Sequence, residues 1–103
     1  MIWRIWHGKT NAENADAYEQ MLRSHILPGI ERIDGYRGAH LLRKAIEGGA
    51  EFVTITMFDS LNAVKAFAGD DFEAAVVLPE ARKLLFSFDA RSEHYDLIGS
   101  LLQ

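Results

Sequence analysis

The chain has 103 residues, 49% of them hydrophobic and 25% charged, with a formal net charge of −4 and no cysteine. That size and composition fit one globular domain, residues 1–103, with a real but thin core. The acidic balance and the scatter of the basic residues argue against nucleic-acid and membrane partners, and the missing cysteines exclude disulfides, thiolate nucleophiles and thiolate-held metals. No apolar run approaches the ~20 residues that cross a bilayer, and the start MIWRIWHGKT lacks a signal-peptide pattern. A cytoplasmic location is the expectation.

The first predicted element is a strand over residues 2–7, ended by Gly8 and Lys9. Strict alternation sends Ile2, Arg4 and Trp6 to one face and Trp3, Ile5 and His7 to the other. Both faces carry large apolar groups, so both are expected to be covered. A helix follows, capped by Thr10 or Asn11. Tyr18, Leu22, His25 and Gly29 form one row of it and Leu22, Ile26, Ile30 and Ile33 the next, an apolar face with polar residues opposite. Pro28 is expected to break or kink this helix near Ile26 and Leu27. Asp34-Gly35 marks a turn.

YRGAHLLRKAI, residues 36–46, and EFVTITMF, residues 51–58, read as two strands of a hairpin joined at Glu47-Gly48-Gly49. Asp59 and Ser60 cap a helix whose inner face holds Leu61, Val64, Phe67 and Ala68, and Gly69 stops it. Asp70 and Asp71 open a short helical piece with Phe72 and Val76 turned inward. Pro79 starts another, through Lys83 and Leu84. FDARSEHYDLI, residues 88–98, alternates as a last strand. The order β-α-β-β-α-β predicts an α+β fold, ferredoxin-like, with an antiparallel sheet and helices on one face. The uncovered face is too apolar for water, and a second copy of the chain is the economical cover, giving a homodimer.

Over nearly its whole length the chain resembles the antibiotic biosynthesis monooxygenase (ABM) domain family. The resemblance lies in IWHG near the start, TMFDSLNAVKAFAG in the middle and EHYDLI near the end, where a strand closing on Phe58 leads through Asp59-Ser60 into a helix bearing Phe67. It implies a dimeric α+β barrel with a pocket in each subunit between sheet and helices. It further implies that a phenolic substrate, once deprotonated, itself reduces oxygen, with no metal or flavin cofactor, inside an apolar cavity with a donor or cation near the phenolate. Heme-degrading members of the family carry tryptophan where Phe67 stands and an iron-ligating histidine where Val76 stands. Their first-strand asparagine is not found among residues 2–7 either, so heme degradation by that route is not expected.

The candidate catalytic residues are His7, His40 and His94. Strand four beside strand one brings His7 near Glu93, His94 or Tyr95, a pairing that can move protons near neutral pH. The candidate substrate-binding residues are Trp3, Arg4, Trp6, His25, Tyr36, Phe58, Phe67 and Tyr95. Arg4 can hold an oxyanion or serve as a structural ion partner. The aromatic residues can line a cavity or fill a core and an interface. Each histidine has the plainer alternative of a hydrogen-bonded structural role. The four histidines show no metal-ligand spacing, so no metal site is predicted. The expected activity is that of a cofactor-independent monooxygenase-like protein acting on a small hydrophobic, aromatic or phenolic molecule. The alternative is a non-catalytic dimeric ligand-binding or structural module, and an isomerase or lyase on the same barrel is a third possibility.

Overall fold

The computed structural model of the chain describes residues 1–102. Strand β1 (Ile2–Asn11) leads through a 3-10 turn (Ala12–Asn14) into helix α1 (Ala15–Met21), a π-helical turn (Leu22–Ile26) and α2 (Leu27–Ile30). Strands β2 (Tyr36–Ile46) and β3 (Gly49–Phe58) form the hairpin, and α3 (Leu61–Ala68), α4 (Pro79–Arg82), β4 (Ser87–Phe88) and β5 (Glu93–Asp96) follow. The sheet is antiparallel with the order β2-β3-β1-β4, and β5 also pairs with β1. β4 meets β1 at Gly8 and Lys9, and β5 meets it at residues 2–5. The two are halves of one broken fourth strand, so the architecture is the expected ferredoxin-like one.

Three local expectations are corrected. First, β1 does not stop at Gly8 but runs to Asn11, because its ladder with β3 continues unbroken to the pair Asn11–Gly49. Asn11, not Thr10, then caps the 3-10 turn by accepting the Asn14 N–H at 3.2 Å. Second, Pro28 disturbs the helix near Ile26 and Leu27, where a π-helical turn gives way to α2, but it does not end it. Proline removes one N–H and crowds the carbonyl four residues back. The chain absorbs this in the π-helical turn just before it and carries helical dihedrals through Ile26 and Leu27.

Third, residues 71–76 form no helix and the last strand is not continuous. The two failures share a cause. The segments 73–75 and 90–92 bond to each other, Ala75 N–H to the Ala90 carbonyl at 2.9 Å and Ser92 N–H to the Glu73 carbonyl at 2.6 Å. A bridge between Ala74 and Arg91 lies between those bonds. Backbone groups committed this way are unavailable to a helix or to β1.

On the helix side of the sheet the apolar residues gather in two clusters. Ala15, Tyr18, Leu22, Ala50, Phe52 and Ala81 form one; Ile30, Phe58, Ala63 and Val64, with Phe67, Tyr36 and Phe72 against them, form the other. All four helices contribute to these clusters, so none is left to cover the opposite face. There Trp3, Ile5, Val53, Ile55 and Met57 are only half-buried, and Leu42 and Tyr95 are each 53% exposed. The sequence thus produces a sheet with one packed face and one open apolar face.

Candidate functional site

Between the two clusters lies a cavity of about 460 Å³. It exists because β1 and β3 change residue size there. Arg4 pairs across the ladder with Thr56 and Trp6 with Thr54, so two small threonines sit between the buried rings of Phe52 and Phe58. The helices close over this gap with Tyr18, Leu22, Ile26 and Ile30 on one side and Phe67 on another, while Val76, Val77, Leu78 and Ala81 complete the wall. Ser24, His25 and Arg32, all exposed, stand at the mouth.

Arg4 is the charged group of the interior. It is only 4% exposed. Its guanidinium donates to the Phe72 carbonyl, to the Ala74 carbonyl at 2.9 Å and to Nε2 of His94 at 3.0 Å. Its Cζ lies over the Phe67 ring, 5.4 Å from the centroid. Burial lowers its pKa to about 10, still protonated at neutral pH. One side chain therefore anchors the irregular 72–74 segment and presents positive charge to the cavity.

His94 sits beside Arg4 because the β1–β5 register pairs the two residues. A guanidinium can only donate, so Nε2 of His94 accepts and the ring proton resides on Nδ1, which is buried without a partner. The ring meets Phe72 edge-on at 5.2 Å. Burial, and then the charge of Arg4, depress its pKa against a smaller opposing pull from Glu73, so the ring is neutral at physiological pH. His94 supports the site through Arg4 and does not itself line the cavity.

The other candidates divide by face. Arg4, Trp6, His25 and Phe67 line the cavity. Tyr36 and Phe58 pack behind it in the second cluster, their rings 6.2 Å apart and edge-on. Trp3, His40, His7 and Tyr95 lie away from the cavity. Trp3 and His40 meet at 5.7 Å on the open face of the sheet, and the Tyr95 hydroxyl donates to Glu93 at 2.9 Å. The ring of His7 pairs through Nδ1 with the Asp89 carboxylate at 2.8 Å. Asp89 is also its one link to the cavity wall, because the Asp89 carbonyl accepts the indole N–H of Trp6 at 2.8 Å.

Sequence reasoning did not single out Tyr18, Thr54, Thr56, Ser92 or Arg32 as site residues. Tyr18 was visible as part of the apolar helical row, and its burial, which pushes the phenol pKa well up, keeps the hydroxyl protonated. Thr54 and Thr56 had a readable signal too: small residues between large ones on the buried face of a strand leave a void. For Ser92 no such signal exists, because its place depends on the break in the fourth strand.

The profile of the antibiotic biosynthesis monooxygenase family matches residues 1–77. The chain belongs to that family. No match is found among curated proteins. Several solved structures share the family fold. SnoaB, a cofactor-independent oxygenase from Streptomyces nogalater, solved as a point mutant, superposes with a TM-score of 0.71 at 16% identity, over 99% of this chain and 97% of its own. The ActVA-Orf6 monooxygenase of Streptomyces coelicolor, in complex with nanaomycin D, gives 0.69 at 13% identity, over 99% and 91%. The heme-degrader MhuD of Mycobacterium tuberculosis, with two hemes in its active site, gives 0.62 at 14% identity, over 98% and 99%. At these identities the likeness is one of fold, and family members on this fold differ in chemistry.

Proposed function

We propose that the protein is a cofactor-independent monooxygenase that converts a small phenolic aromatic molecule to a quinone in the cavity beside Arg4, working as a homodimer. The observation that carries this reading is a cavity of about 460 Å³, inside the roughly 300–1,000 Å³ range of small-molecule sites, whose aromatic wall meets a buried cation. A ring-bound oxyanion placed there is electron-rich and shielded from bulk water, with Arg4 to stabilise its charge. The reaction balances without an outside reductant. A phenol and O₂ give a quinone and water; one oxygen atom enters the ring, and the substrate supplies all the electrons. Association of two copies through the open sheet faces would bury Trp3, Ile5, Val53, Ile55 and Met57, as the hydrophobic effect demands.

Heme, the ligand of the Mycobacterium tuberculosis neighbour, fits these residues poorly. Val76 on the wall offers iron no ligand, and His25, the imidazole among the lining residues, is exposed at the mouth. A second reading, a binding module without catalysis, is favoured by one observation: Nε2 of His94 is already occupied by Arg4, so among the described residues the interior holds no free imidazole base.

The test is oxygen uptake by the purified protein with 1-naphthol and related phenols under ¹⁸O₂. The expected result is oxygen consumption with one labelled atom in the quinone, unaffected by chelators. Absence of uptake across the series removes the oxygenase reading. Sedimentation at micromolar concentration tests the dimer, which a monomeric boundary would exclude.

A further inference from the structure

The charges around the cavity are one-sided. The chain carries 15 acidic residues against 11 lysines and arginines, yet the residues lining this cavity include Arg4 and Arg32 and, among the described residues, no aspartate or glutamate. Elsewhere several arginines find acids: Arg37 bonds Asp59, Arg43 bonds Asp16 and Glu19, and Arg91 bonds Asp71 and Glu73, all at the surface. Exposed pairs of that kind are worth about 0–1 kcal/mol. The guanidinium that is buried, where a counter-charge matters most, has no carboxylate partner among the described residues. Its partners are two carbonyls and a neutral imidazole.

Three of its five N–H groups are thereby used. The Nε–H and one N–H on Nη2 have no acceptor among the described residues. A desolvated charge without its counter-ion is costly to hold, and donors left unpaired beside a cavity are met by whatever fills it. The imidazole nearest Arg4 already accepts from it, so among the described residues no free imidazole lies beside Arg4 to ionise a ligand there.

We propose that the cavity selects organic anions: it takes a flat aromatic molecule already ionised at a carboxylate or phenolate oxygen, places that oxygen against the free N–H groups of Arg4, and lays the ring along the apolar wall that includes Trp6 and Phe67. Arg32 at the mouth adds a weaker, screened attraction for the same charge. This rests on the reading that the cavity is the ligand site, and it specifies the charge state in which the substrate arrives. The shared chemistry is an oxyanion on an aromatic ring.

The test compares 2-naphthoate with its neutral isostere 2-naphthamide by calorimetric titration under nitrogen, so that no turnover intervenes. The wild-type protein binds naphthoate at least about tenfold more tightly, equivalent to about 1.4 kcal/mol. The preference survives in Arg4→Lys and disappears in Arg4→Met; Arg32→Gln reduces it by less than about threefold, as expected for an exposed, screened charge. Should Arg4→Met fail to fold because the 72–74 segment loses its anchor, the wild-type ratio and Arg4→Lys still decide. Equal affinity for the two probes, or saturable binding of neither, overturns the proposal. Preference for the anion without oxygen uptake in air sinks the oxygenase reading alone. Oxidation of phenols without any charge preference sinks this one alone.

Discussion

Protonation of His94 sets a specific acid limit on the site. Its Nε2 lies 3.0 Å from Arg4 Nη1. Adding a proton turns that hydrogen bond into a contact between two donors and two positive charges. With charge centres roughly 3–5 Å apart and an effective dielectric of about 20, the repulsion is about 3–5 kcal/mol before water screens part of it. The folded pKa is accordingly depressed, by burial first and by Arg4 second. A depressed histidine binds its proton more weakly in the folded chain than in the unfolded one. Its contribution to stability is therefore complete above the unfolded pKa of about 6.5 and is lost as the pH falls from there through the folded value, at no more than about 1.4 kcal/mol per pH unit. Urea unfolding between pH 7.5 and 5 measures this, a window above the carboxylate range in which Asp59 and Asp71, held down by their arginines, begin to protonate. His94→Gln retains an acceptor oxygen for Arg4 and removes the titration, so its stability should be flatter over that window. Identical slopes for wild type and variant, or a wild type that gains stability on acidification through His94, would refute the reasoning.

Thr10 is fully buried and its hydroxyl has no partner, so Thr10→Val should stabilise the fold by about 1 kcal/mol, raising the melting temperature by about 4–8 °C; a lower melting temperature would show that the hydroxyl is bonded. Gly35 has φ +90°, and a Cβ there would lie 2.6 Å from that of Ala63. Gly35→Ala should therefore cost about 2 kcal/mol or more, read as a lower urea midpoint, and an unchanged midpoint would mean that the turn can relax away from α3.

Much of the architecture was legible because it is local. Alternation over residues 2–7 and 51–58 identifies both faces of the central strands. Ser60 caps α3 by accepting the Ala63 N–H, and Gly69 ends that helix at φ +88°. The segment 70–78 was illegible because its conformation is settled by bonds to residues 90–92, which are distant in sequence. The same is true of the site. Arg4, Trp6 and Phe67 could be named from strand and helix periodicity alone. The role of His94 required the register of β1 against β5, and a register is a tertiary fact. His7 and His40 were attractive as histidines on well-defined strands, but alternation had already placed His7 opposite Arg4 and Trp6.

One alternation in β1 thus supplies two unlike surfaces: Arg4 and Trp6 for the cavity, Trp3 and Ile5 for the open face. A slip of one residue would exchange them, burying Trp3 among the helices and turning the guanidinium outward. The fold opposes one direction of such a slip at the far end of the strand. A Cβ at Gly49 would lie 1.9 Å from the Thr10 carbonyl oxygen and 2.9 Å from the Asn11 Cα, so the hairpin closes on β1 at a point where backbone meets backbone and only glycine fits. A slip that put Ala50 in that place would bring a side chain into the contact, whereas Gly48 on the other side carries none. The glycine that looks like part of a turn therefore also acts on the site from the other end of the ladder: it opposes one of the two slips away from the register that pairs Arg4 with Thr56 and Trp6 with Thr54.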